Sequence, residues 1–261
     1  MSDFLDAFAA GIESGRIQYL DAHPLVVLGE GQKAHDLEAM LPQPLRKRGT
    51  VQLQDERSLT DYVAAHKAPG TVIFADPDQR KIVAVLNHHD PQEPHWSDFR
   101  AELQMQRTPE WKAWLAVDRK PTGQTEFVEL LEDQIGTVLQ PDGAELVEIC
   151  QHLKGLKKVE FENGVSLRDG TVQLTYRETV DSTSSRKGQV EVPERLLLKL
   201  SLFRNDPASE VKARLRWRLV EGRVAFIVVL EKPVEAEDAA MSALCTRLAA
   251  TLAVPVLSGK A

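Results

Sequence analysis

Four cations spaced two apart, Lys212, Arg214, Arg216 and Arg218, are interleaved with Val211, Ala213, Leu215, Trp217 and Leu219. Strict alternation is the mark of a β-strand, whose successive side chains project to opposite faces. Every cation therefore falls on one face and every apolar residue on the other. The pattern turns at Glu221-Gly222 and resumes with Arg223 and the apolar run Val224 to Leu230, which reads as a β-hairpin. Centring the turn on Glu221-Gly222 sets Arg218 opposite Ala225, Arg216 opposite Ile227 and Arg214 opposite Val229, and leaves only Lys212 facing an acid, Glu231. Guanidinium groups seated beside aliphatic side chains call for a cover: another segment, another subunit or an anion.

Two chemistries fit such a row. Same-face residues on a strand recur at about 6.6–6.8 Å, close to the spacing of phosphates on an extended single strand of nucleic acid. Platforms of that kind interleave exposed aromatics for base stacking, whereas Trp217 is predicted on the opposite face. Arginine also suits protein interfaces, because its fork holds a carboxylate in two places while its stem covers apolar surface. The acidic residues Glu126, Glu129, Glu132 and Asp133 of a predicted helix are a candidate partner surface, and Glu160, Glu162, Glu178 and Glu191 are strand carboxylates that compete for the same role.

The densest polar cluster lies at residues 87–98, NHHDPQEPHWSD. His88, His89, Asp90 and His95, with Glu93 and Asp98, are residue types that ligate zinc, iron or manganese, and a metal-dependent hydrolase is the enzyme they would imply. Their spacing matches no metal motif, and no HExxH helix is present. The competing reading is a polar, proline-bounded loop with Trp96 packed beneath it. Asp76 and Asp78 form a carboxylate pair, but both sit in the turn segment DPDQR, where aspartate favours reversal. Phosphate loops, dinucleotide fingerprints and nucleophile elbows are missing; VLGEGQ lacks the third glycine and the lysine. The residues give no reason to expect a catalyst or a cofactor.

The elements that position these groups are legible from periodicity. Residues 71–75 and 81–86 flank DPDQR as a hairpin, and residues 100–106 alternate as a further strand. Thr108-Pro109-Glu110 opens a helix carrying Trp111 and Trp114. Ser58 caps LTDYVAAH, VDRKPTGQ is a linker, and TEFVELLEDQIG and GAELVEICQHLKG are amphipathic helices. From Lys157 onward strands dominate, interrupted by the hydrophilic loop or hairpin tip at residues 181–189, and a helix over about Ala236 to Leu252 precedes VPVL. The expected fold is α+β: an acidic half of helices and hairpins over residues 1–153, and a basic, mainly antiparallel sheet over 154–261 closed by the last helix. At the N-terminus, Phe4, Leu5, Phe8 and Ile12 line one side of a short amphipathic arm.

The net charge of −7 conceals a division. Residues 1–150 hold 25 acidic and 14 basic side chains, while residues 151–261 hold 14 and 18. Opposite-signed halves either attract one another within a subunit or join copies head to tail. No apolar run spans a bilayer, the acidic N-terminus is unlike a signal peptide, and Cys150 and Cys245 sit in helical apolar patterns as structural thiols. No membrane partner is expected, and the cytoplasm is the expected location.

The succession DERSLTDYVAAH, VIFADPDQRKIVAVLNHHDP, HWSDFRAELQMQRTPEWKAW, EVPERLLLKLSLF and VKARLRWRLVEGRVAFIVVLEKP resembles the YfdQ-like proteins, a phage and prophage family defined as domain of unknown function 2303. The likeness runs from about residue 20 to residue 255, with TPEW and the closing hairpin its most distinctive parts. The resemblance implies a bacteriophage or prophage setting and carries no catalytic residues. Together these readings lead to the expectation of a non-enzymatic phage protein acting as a symmetric homo-oligomer, a ring or a closed particle. The alternative is a single-stranded nucleic-acid-binding accessory of phage recombination or replication.

Overall fold

In a computed structural model the chain divides into two compact units, Met1–Lys47 and Arg48–Ala261. The structure describes residues 17–20, 23–26, 28, 31, 33, 38–155, 159–166, 171–181, 184–220 and 223–261. For residues 17–20, 23–26, 39, 151–155, 159–166, 171–181, 184–191, 219, 220, 223 and 224 the description is of the backbone. The N-terminal arm expected at residues 3–12 and the turn pair Glu221-Gly222 lie outside the described residues.

In the first unit β1 (Ile17–Leu20) and β2 (His23–Val26) pair antiparallel, and a single 3-10 turn follows at Glu38–Met40. The second unit runs β3 (Gly49–Leu53), α1 (Glu56–His66), β4 (Val72–Asp76), β5 (Lys81–Val85), β6 (Phe99–Gln104), α2 (Pro109–Val117), β7 (Pro121–Gly123), α3 (Gln124–Asp133) and β8 (Val138–Gln140). It continues with α4 (Gly143–Gly155), β9 (Val159–Ser166), β10 (Thr171–Asp181), β11 (Ser184–Pro193), β12 (Arg195–Ser201), β13 (Ala208–Val220), β14 (Arg223–Leu230), α5 (Pro233–Leu252) and β15 (Val256–Ser258). The fold is α+β.

One five-stranded sheet has the order β15-β4-β5-β6-β3, with parallel pairs at both edges and antiparallel pairs between them. The other, β7-β14-β13-β12-β8, is antiparallel throughout. A third, three-stranded sheet joins β11, β10 and β9. Residues 184–189, expected in a loop or hairpin tip, are ladder residues of β11, paired as far as Asp181↔Ser184. The boundary expected after residue 153 falls inside α4, and the antiparallel sheet takes strands from both sides of it.

Local chemistry explains the helix starts. Thr108 caps α2: its Oγ1 accepts from Trp111 N–H at 3.2 Å and donates to Ser201 O at 2.6 Å. The cap of α1 is Asp55 rather than Ser58; Ser58 N–H donates to Asp55 Oδ1 at 2.7 Å, so Ser58 is the third helical residue. A carboxylate there also complements the helix dipole, which a hydroxyl does not.

One continuous apolar core runs through the unit, from Leu59, Ile73 and Ile82 to Trp111, Trp114, Phe127 and Phe226. Two polar clasps hold its parts. Glu237 of α5, only 7% exposed, accepts from Arg107 Nε at 2.6 Å, Arg107 Nη2 at 2.9 Å and Trp111 Nε1 at 2.8 Å. Arg247 of α5 bridges Glu56 of α1 and Asp206, with contacts of 2.8 Å to each.

Candidate interface on the antiparallel sheet

The β13–β14 hairpin has the register that the turn position dictates: Arg218 pairs with Ala225, Arg216 with Ile227 and Arg214 with Val229. Val211, Ala213 and Leu215 are buried, while Lys212, Arg214, Arg216 and Arg218 are exposed. The fifth cation, Arg223, begins β14 opposite Val220, with its side chain outside the described residues. Lys212 lies opposite Glu231 as the turn position predicts, but their side chains do not pair. Glu231 N–H does bond Lys212 O at 2.8 Å, but the Glu231 carboxylate takes Arg214 Nε at 3.3 Å, with both side chains nearly half exposed. Among the described residues Arg214 is the only member of the row in an ion pair. A contact that exposed contributes little to stability.

Strand β12 enlarges the row. Its antiparallel register places Arg195 opposite Arg214, Leu197 opposite Lys212 and Lys199 opposite Glu210. Arg195 and Lys199 are exposed, and Leu196, Leu198 and Leu200 are buried. Residues directly opposite share a face, so Arg195, Lys199, Lys212, Arg214, Arg216 and Arg218 form one cationic surface across two strands. The alternation in RLLLKLS carries the signal for Arg195 and Lys199. What it lacks is the partner strand, and without that neither residue can be assigned to the surface.

The opposite face of this sheet is core, and α3 lies against it. Phe226 alternates with Ala225 and Ile227 along β14, and its ring stacks on Phe127 of α3 at 4.7 Å and 26°. With Phe127, Val128 and Leu131 buried inward, Glu126, Glu129, Glu132 and Asp133 face outward and are exposed. Sheet and helix thus make a two-layer unit, basic on its outer sheet face and acidic on its outer helix face. The carboxylates Glu160, Glu162, Glu178 and Glu191 have side chains outside the described residues.

The segment expected to be a linker positions this unit. After α2 the Asp118 carboxylate accepts from Leu230 N–H at 2.8 Å. Arg119, with φ of 59°, turns the chain and donates its N–H to Val228 O at 2.7 Å. Residues 121–123 then join β14 as the edge strand β7. A short polar segment shows no periodicity, so this pairing had no signal in the sequence.

The histidine-rich segment is organised by its own hydrogen bonds. Asp90 Oδ1 accepts the Gln92 and Glu93 N–H groups at 2.8 and 2.7 Å, and its Oδ2 lies 3.4 Å from His95 Nε2. The backbone N–H of Glu93, then that of Gln92, hold the Asp90 carboxyl below the usual carboxylate range. His95 N–H donates to His89 Nδ1 at 2.9 Å, and His88 Nδ1 meets Ser97 Oγ at 3.1 Å. Burial, then the neighbouring His89 and Arg100, lower the pKa of His88. Among the described residues no group of three or more His, Cys, Asp or Glu side chains is placed to hold a metal ion. The metal set His88, His89, Asp90 and His95 is corrected on that ground: His88 meets Ser97, His89 accepts from a backbone N–H, and only Asp90 and His95 face one another. Trp96 is 77% exposed rather than packed beneath the loop. The free thiols behave as expected of buried cysteines: Cys150 is fully buried and pushed up to about 12 by desolvation, and the half-buried Cys245 is raised for the same reason.

These features define an α+β protein with one strongly cationic sheet face and no convergent ligand set among the described residues, and no described helix is long and apolar enough to cross a membrane. Over residues 6–261 the chain matches the family described as "Uncharacterized conserved protein (DUF2303)", and it belongs to that family. No curated protein and no solved structure matches it.

Proposed function

We propose that this is a non-enzymatic phage or prophage protein that works by self-assembly, as a symmetric homo-oligomer forming a ring or a closed particle in the bacterial host cytoplasm. The observation that carries the reading is the opposition of charge across one two-layer unit. The cations of β12 and β13 lie outside the sheet, and Glu126, Glu129 and Asp133 lie outside α3 on the far side. Complementary surfaces on opposite sides of one body make heterologous contacts, and repetition of such a contact closes a ring when its rotation permits. Complementary charge also favours correct encounters and disfavours like-face ones. Arginine stems lying over Ile227 would give such a contact its apolar component.

Light scattering coupled to size exclusion, with negative-stain imaging, tests the proposal. The unaltered chain is expected to elute as a defined oligomer that weakens with salt. Two variants, E126K/E129K/D133K and R214E/R216E/R218E, should each be monomeric. Mixed in equal amounts they should assemble, because each then offers the other a complementary face. A strictly monomeric profile for the unaltered chain at micromolar concentration would end the reading.

A further inference from the structure

The cationic surface has an open end. The described pairing of β12 with β13 stops at Arg195↔Arg214, and Leu215 N–H bonds Glu194 O at 2.8 Å, yet β13 continues to Val220. Beside this overhang lies a recess of about 490 Å³ lined by Glu194, Arg195, Arg214, Leu215, Arg216 and Trp217. Three arginines and a tryptophan therefore border one hollow.

Folding alone gives no reason for this arrangement. Arg195 and Arg214 are direct cross-strand partners, and like charges placed opposite one another destabilise a sheet. Among the described residues neither Arg195 nor Arg216 has an ion-pair partner. An oxyanion seated between them removes the repulsion, and the planar fork of arginine matches phosphate oxygens two at a time. Trp217 belongs to the apolar side of β13, but it is only half-buried, and it borders the recess. Beyond its single N–H, an indole flank offers nothing to a carboxylate or to free phosphate, whereas its ring face is a stacking surface for an unpaired base. Beyond the recess, Arg218 continues the row two residues past Arg216, at the spacing of an extended backbone.

We propose that this recess and the overhanging end of β13 bind single-stranded nucleic acid, with Arg195, Arg214 and Arg216 holding phosphates and Trp217 stacking a base. The site rests on the recess and its indole, not on the charge opposition behind the assembly reading, and it stands whether or not the chain assembles. Arg214 and Arg216 are common to both, so an acidic helix from a neighbour and a nucleic-acid strand compete for them.

Fluorescence anisotropy with a labelled oligothymidylate of about twelve nucleotides tests the site on the unaltered chain and on E126K/E129K/D133K. Three phosphate contacts predict a log–log salt slope of about −2. R195A/R216A should flatten that slope by about 1.4. W217A should weaken binding about tenfold at constant slope, and W217F should recover most of the loss. Circular dichroism and the thermal midpoint verify folding, and if W217A fails to fold, W217F and R195A/R216A decide. The proposal is overturned by an absence of binding at low salt, by duplex DNA binding as tightly as the single strand, or by polyglutamate or pyrophosphate competing as well as the oligonucleotide while W217A has no effect. Binding by a strictly monomeric unaltered chain would sustain this site and remove the assembly reading.

Discussion

Replacing Glu237 with alanine should destabilise the Arg48–Ala261 unit by about 3 kcal/mol, and the figure follows from its contacts. The Trp111 indole N–H, fully buried and donating to Glu237 Oε1, would be left without an acceptor, at a cost of about 1–3 kcal/mol. Arg107 would lose a two-point contact, but its side chain is 33% exposed, so water can replace part of it. We therefore assign that loss about 1–2 kcal/mol, below the value for a fully buried pair. For a unit of this size the thermal midpoint should fall by about 6–12 °C. E237Q keeps an acceptor for the indole and should lose about half as much. A double-mutant cycle of E237A with W111F, followed by urea unfolding, isolates the indole bond. If E237A costs less than about 1 kcal/mol, the clasp does not join α5 to α2 as described.

Three further outcomes are expected. Cys150, its thiol pushed up to about 12, should resist a thiol reagent in the native protein and react fully in denaturant; rapid native reaction would contradict its burial. His88 has a folded pKa below the ordinary 6.5, so the unfolded chain takes up the proton first. Stability is then present above 6.5 and lost as pH falls from there through the lower folded value, and thermal melts from about pH 7 downward should show a drop that H88Q reduces. Gly70 has φ of 84°, and a Cβ there would lie 2.5 Å from His88 O. G70A should therefore cost about 1–3 kcal/mol by chemical denaturation, and a neutral result would refute the close approach.

Much of the local architecture was legible because it is local. The hairpin register of β13 and β14 follows from the turn position alone, and the Thr108-Pro109 start of α2 is written in three consecutive residues. What escaped depends on partners far along the chain. The surface role of Arg195 and Lys199 needs the β12–β13 pairing, and residues 121–123 become a strand only because β14 lies beside them. The Glu231 carboxylate shows the same limit: register fixes its neighbours, but side-chain reach decided for Arg214 over Lys212. In the histidine-rich segment, composition suggested ligands, whereas hydrogen bonds between adjacent residues had already engaged the donors and acceptors.

The seating of Val256–Ser258 beside Ile73–Ala75 has a consequence for biosynthesis. A ribosome must deliver more than 180 further residues after β4 emerges before that edge of the sheet can be completed. Until then the flank of β4 is an unsatisfied strand border, the kind of surface on which nascent chains stick to one another. Loss of Val256–Ser258 would leave the flank exposed permanently and send the product towards inclusion bodies.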